Sequence, residues 1–96
     1  MKVTRVYVER KVLENNPIIR GFASIEFDNC FVVKNLRLIE NEKGLFVAMP
    51  SRKKSDGKWE DSAHPITQEC RTMIEKAVWD AYEKAEENGS HEERFE

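Results

Sequence analysis

In "IIRGFASIEF" the residues Ile19, Ala23, Ile25 and Phe27 fall on one side of an extended chain, and Arg20, Ser24 and Glu26 fall on the other. Alternation with a period of two predicts a strand with one buried and one wetted face. Before it, "KVTRVYVERKVL" is rich in valine and tyrosine and predicts a first strand, closed by the turn formers of "ENNP". After it, Asp28-Asn29 is a two-residue hairpin signal and "CFVVKNLRLIE" is the return strand. Gly21, inside the second strand, marks a bulge or twist point. "NEKG" supplies the next turn. "LFVAM" is almost wholly apolar and belongs in a sheet interior or at an interface, and Pro50 ends it or sets it at an edge. The Asp56-Gly57 turn then suggests that "LFVAMP" and "KWEDSA" pair as a hairpin with "SRKKSDG" at its tip.

Beyond "HP" the period changes. Cys70, Met73, Ile74, Ala77, Val78, Ala81 and Ala85 recur at steps of three and four, which is one apolar stripe of a helix. Thr67 is the expected N-cap, Glu69 suits the positive end of the helix dipole, and Asn88-Gly89 is a stop signal, giving about 20 helical residues. At about 100° per residue Trp79 lies roughly opposite the centre of the stripe, with Tyr82 between the two faces. Three readings of Trp79 are open: a ring lying over the Glu75 and Lys76 stems, a subunit or partner contact shared with Tyr82, or a stacking surface. The pattern as a whole predicts an α+β domain, an antiparallel sheet of four to five strands covered on one face by one long C-terminal helix. It spans residues 1–88, and the acidic segment 89–96 is expected to be disordered.

Composition adds limits. The 96 residues are 40% hydrophobic and 35% charged, enough for one domain with a thin core, for which dimerisation would bury further apolar area. No stretch approaches the roughly 18 apolar residues of a membrane span, and the first residues alternate apolar with charged rather than forming a signal-peptide core. Cys30 and Cys70 make no paired spacing, which points to reduced thiols and a cytoplasmic location. The net charge of −2 hides an asymmetry. Residues 1–60 carry 12 basic and 8 acidic side chains, whereas residues 83–96 carry 2 and 6. The local patch, not the total, sets what a surface attracts.

Candidate chemistry narrows to "MPSRKKSDGKWEDSAHPI". Asp61 and His64 could serve as a base and its orienter, but no nucleophile pattern or phosphate loop accompanies them. We therefore expect no enzyme, with an Asp61–His64 hydrogen bond fixing the corner that launches the helix. The histidines and cysteines are too scattered for a zinc site, and no cofactor is implied. Arg52, Lys53 and Lys54 are consecutive, Lys58 follows across the turn, Ser51 and Ser55 add hydroxyls, and Trp59 offers a ring. Such a loop suits phosphate and base contacts, and it also suits a purely solubilising tip.

"GLFVAMPSRKKSDGKWEDSAHPI" resembles the core signature of the stage V sporulation protein G (SpoVG) family, small bacterial proteins assigned to septation. The likeness extends to "VTRVYVER", "GFASIEFDNCFVVKNLRLIE" and "RTMIEKAVWDAY", covering about residues 1–85. It implies a homodimeric α+β regulator of septation or sporulation that binds DNA or RNA. By the same analogy Arg52, Lys53 and Lys54 of the basic loop, with Arg71 of the helix, are the nucleic-acid contacts, and Ser51 and Lys58 join them on the loop's own chemistry. Glu60 departs from the family pattern, where a basic residue is common. The alternative is a protein-interaction module acting on a septation or transcription partner through an edge strand or the Trp79 face.

Overall fold

The expected alternation is realised in the first two strands of the computed structural model, which describes residues 1–87 and 89–95. Strand β1 (Val3–Arg10) pairs antiparallel with β2 (Ile19–Phe27), and β2 pairs antiparallel with β3 (Phe31–Asn41). The β2–β3 connection is a tight reversal. Asp28 and Asn29 both have positive φ, 52° and 55°, and the Cys30 N–H donates to the Phe27 carbonyl over 3.0 Å. Two left-handed residues match the twist of the flanking strands, and Asp and Asn tolerate that conformation best after glycine. Strand β4 (Gly44–Ala48) pairs with β3 and forms one edge of the sheet.

Chain geometry departs from expectation after β4. "LFVAM" does not pair with "KWEDSA"; its partner is β3. Pro50 has no N–H to give to a ladder, and beyond it the chain starts a separate small hairpin, β5 (Ser51–Lys53) with β6 (Trp59–Asp61). The Ser62 N–H donates to the Pro50 carbonyl over 2.7 Å and closes the base of this hairpin.

The helix α1 (Gln68–Lys84) begins where the Thr67 side chain accepts the Cys70 N–H over 3.1 Å, as the N-cap signal required. It ends with the cap at Ala85, earlier than the expected stop at Asn88-Gly89, of which Asn88 lies outside the described residues. Ile74, Val78 and Ala81 are buried in one cluster with Val6 and Val8 of β1, Ile25 of β2, Leu36 and Leu38 of β3 and Val47 of β4, and Ala85 is buried at the cap. Each buried valine, leucine or isoleucine among them contributes about 1.5–3 kcal/mol by leaving water. Gly21 lies opposite Arg10 of β1 at a shift in register, and a Cβ there would stand 2.4 Å from the Glu9 carbonyl oxygen. Only glycine allows this approach of the two central strands.

The segment beyond the helix, expected to be disordered, contributes a strand. Strand β7 (Ser90–Arg94) pairs antiparallel with β1 and completes the order β4-β3-β2-β1-β7. Its sequence, "SHEER", has no hydrophobic signature, which is why periodicity missed it. Backbone bonds and charge hold it instead. The Arg10 N–H donates to the Gly89 carbonyl at 2.9 Å, Phe95 N–H to the Thr4 carbonyl at 3.0 Å, Arg5 pairs with Glu92 at 3.1 Å, and Glu93 pairs with Lys84.

Two measurements check this architecture. The Gly21→Ala variant should lose about 1–3 kcal/mol in urea denaturation, the range for overpacked sites; unchanged stability would refute the close approach. Backbone amides within Ser90–Arg94 should show slowed hydrogen exchange, while exchange at unstructured-chain rates throughout would place the segment outside the sheet.

Candidate functional site

The basic run sits on the β5–β6 hairpin. At its tip the Lys54 N–H donates to the Lys58 carbonyl at 2.7 Å and the Gly57 N–H to the Lys54 carbonyl at 3.0 Å. Gly57 takes φ +88°, a conformation open to glycine, and the Asp56 carboxylate accepts the Lys58 N–H at 3.0 Å. The turn therefore uses Asp56 for its own geometry. Register then sorts the side chains. Ser51 faces Asp61 and Lys53 faces Trp59, so these four share one face of the hairpin, while Arg52 and Glu60 share the other. Arg52 and Glu60 lie 3.8 Å apart and are both well exposed, a pair worth about 0–1 kcal/mol. Its effect is local neutralisation: Glu60 offsets one of the cations. Ser51 is tied to the sheet, where its Oγ accepts from the Arg37 guanidinium at 3.2 Å.

Arg71 lies on a different element from the loop cations, in the first turn of α1, and is half-buried. Trp79 and Tyr82 occupy the second half of the helix and are used within the fold. Their rings meet edge to face at 4.9 Å, the Arg10 guanidinium lies 4.0 Å over the Tyr82 ring, and both aromatics pack against the core. Arg10 also donates from Nε and an η nitrogen to the Tyr82 carbonyl, at 2.9 and 2.6 Å, capping the helix end. Trp79 is thus half-buried rather than solvated, since the helix seats a wider flank than its apolar stripe.

The expected Asp61–His64 hydrogen bond is not formed. His64 is exposed, its Nδ1 lies 3.2 Å from the Pro65 carbonyl, and Asp61 is exposed on β6. The turn into the helix is set by Pro65 and the Thr67 cap instead. Among the described residues no three His, Cys, Asp or Glu side chains cluster to hold a metal. Cys30 is exposed and Cys70 half-buried, both as free thiols.

One surface escaped the sequence reading. Helix α1 covers one face of the sheet, and the opposite face carries Tyr7, Phe22, Lys34 and Arg37 around two adjoining depressions that share Phe22 and Asn35. The second depression is walled by Ser51 and Trp59 of the hairpin, so the basic loop and the uncovered sheet face form one continuous surface. A signal was present: Phe22 stands in the polar phase of β2, between Arg20 and Ser24. Asn35, in the left-handed region at φ +67° beside a register shift against β2, places Lys34 and Arg37 on this face.

Comparison with known proteins gives the lineage of this arrangement. Residues 1–84 match the SpoVG family. A relative from Bdellovibrio bacteriovorus, named "Putative septation protein SpoVG", is 50% identical over 84 residues, covering 88% of this chain and 75% of its own. Relatives of the same name come from Caldanaerobacter subterraneus subsp. tengcongensis, 44% identical over 93 residues (97% of this chain, all of its own), and Lachnospira eligens, 49% identical over 86 (90% and 96%). The match covers every element except β7, and it carries the septation name across all three relatives: the chain belongs to the SpoVG family.

Proposed function

We propose that this protein is a cytoplasmic, homodimeric regulator of septation or sporulation that binds DNA or RNA through the hairpin from Ser51 to Lys58. The observation that carries the reading is the projection of Arg52, Lys53, Lys54 and Lys58 on a small hairpin outside the main sheet, with all four side chains exposed. Exposed cations release counterions from a phosphate backbone, and such release dominates affinity. Arg71 contributes from the helix as a separate, weaker contact. Glu60 and Asp56 offset two of the four hairpin charges, which moderates affinity and leaves an electrostatic, broadly tolerant interface.

Self-association has an apolar surface available at the β4 edge. Leu45 is 52% exposed, Phe46 36% and Ile18 43%, and the pairings Glu40–Leu45 and Ile39–Phe46, with the Glu40 N–H bonded to the Ile18 carbonyl, set the three at one corner of the sheet. Strand β4 carries no charge, whereas the opposite edge, β7, is strongly charged. Uncharged, apolar edges favour pairing with a second copy. This corner suits a two-fold contact better than Trp79 and Tyr82, whose rings pack on each other, with Arg10 over that of Tyr82.

Replacing Arg52, Lys53 and Lys54 together by Ala should weaken nucleic-acid binding without lowering thermal stability. Unchanged binding would clear the hairpin and leave a protein-contact module as the better reading. For the intact dimer, neutralisation of about six phosphates predicts an affinity drop of roughly 10³-fold between 50 and 200 mM salt, and a flat response would remove the electrostatic mechanism. Leu45→Lys should halve the apparent mass on a sizing column; a retained dimer, with Trp79→Ala dissociating it, would return the contact to the helix.

A further inference from the structure

From the uncovered face of the sheet we infer that the nucleic acid taken by this protein is single-stranded, its unpaired bases stacked along Tyr7, Phe22 and Trp59 and its phosphates held by Lys34, Arg37 and Lys53. The inference rests on the hairpin being a nucleic-acid contact and adds the class of ligand.

The aromatic row follows from register. Tyr7 lies opposite Ser24, and Phe22 opposite Glu9 on one side and Arg37 on the other. Tyr7 and Phe22 are therefore diagonal neighbours on adjacent strands, about 7–8 Å apart at Cα. Phe22 belongs to both depressions, and the second reaches Trp59 on the hairpin. Trp59 is 67% exposed and Tyr7 36%, so two large rings sit on the face that the polar phase of each strand gives to water. Neither ring is needed by the core, which lies on the other side of the sheet. Rings left in water on a sheet face are a stacking platform for bases.

Charge complementarity selects the ligand. Lys53 lies opposite Trp59 on the same face of the hairpin, and Lys34 lines the depression between Tyr7 and Phe22. Arg37 is aimed by two acceptors, the Met49 carbonyl at 3.4 Å and Ser51 Oγ at 3.2 Å, both reached by one η nitrogen, so the remainder of its guanidinium is free to meet a phosphate. Cations thus alternate with rings along the row. Toward β7 the balance reverses. Arg5 is held between Glu26 at 3.5 Å and Glu92 at 3.1 Å, and Glu9 lines the far side of Tyr7, which ends the cationic row at that ring. Asp61 bounds the hairpin face at its base. A duplex keeps its bases stacked on one another and cannot lay them on a sheet; unpaired bases can.

The test compares a labelled oligo-dT of about 12 nucleotides, within the range of single-strand site sizes, with a duplex of equal length at low salt. The single strand should bind more tightly. Trp59→Ala and Phe22→Leu should each weaken single-strand binding by about 5- to 150-fold, the span measured for loss of one base stack, while duplex binding changes less. Trp59→Phe should restore most of the loss, because it keeps a π-face. Trp59, being exposed, can be replaced without disturbing the fold, and circular dichroism checks Phe22→Leu. Equal loss on both ligands, or no loss on the single strand while the Arg52, Lys53 and Lys54 triple variant abolishes binding, would overturn the stacking inference and leave the hairpin reading intact. Failure of the wild-type protein to bind either ligand would sink both. Dissociation of the dimer by Trp59→Ala would also overturn the inference, by assigning this face to contact between copies.

Discussion

One helix of 17 residues can cover only one face of a five-stranded sheet, and the rest of the structure answers to that limit. On the covered face the strands contribute valine, leucine, isoleucine and alanine at alternate positions, and α1 returns Ile74, Val78 and Ala81 into the same layer. The core is one layer thick, so the close packing of β1 on β2 at Gly21 and the Thr67 cap each carry a large share of the fit. On the other face every second residue must tolerate water. Toward β7 Arg5 does so by pairing with Glu26 and Glu92. Tyr7 and Phe22 do not, and the depression at Phe22 reaches the hairpin.

The hairpin is separated from the main sheet by a single backbone property. Pro50 cannot extend the β4 ladder, so the chain leaves the sheet plane and folds back on itself between Ser51 and Asp61. Its two faces then differ in charge. Arg52 is matched by Glu60 on one, while Lys53 stands beside Trp59 on the other. A run that reads as three equivalent cations in the sequence is thus sorted by the pleat into a neutralised position, a position facing the sheet, and a tip.

Much of this was legible before the structure. Valine and tyrosine content located β1, period-two alternation located β2, the Asp28-Asn29 pair located the turn, and steps of three and four located the helix with its Thr67 cap, because each signal is local. What failed was non-local. Strand β7 is built from Ser, His, Glu and Arg and owes its place to the exposed edge of β1, a template that no property of "SHEER" announces. The pairing of "LFVAM" went to β3 rather than "KWEDSA" because sheet partners are chosen among all available strands, not between neighbours alone. For Trp79 the helical phase left three readings open, because phase measures only distance from the stripe and does not show that the ring meets Tyr82 edge to face. Of the candidate site, the residue types were readable and their grouping was not, since the union of the hairpin with Phe22 and Arg37 depends on the fold.

The β1–β7 pairing joins Arg5 to Arg94 and Glu9 to Ser90, nearly the full span of the chain. Contacts so distant in sequence must wait for the largest loop to close, and they are the slowest to form. During synthesis the β1 edge therefore stays open until β7 leaves the ribosome, so nascent chains too short to include β7 expose a strand edge that it later covers.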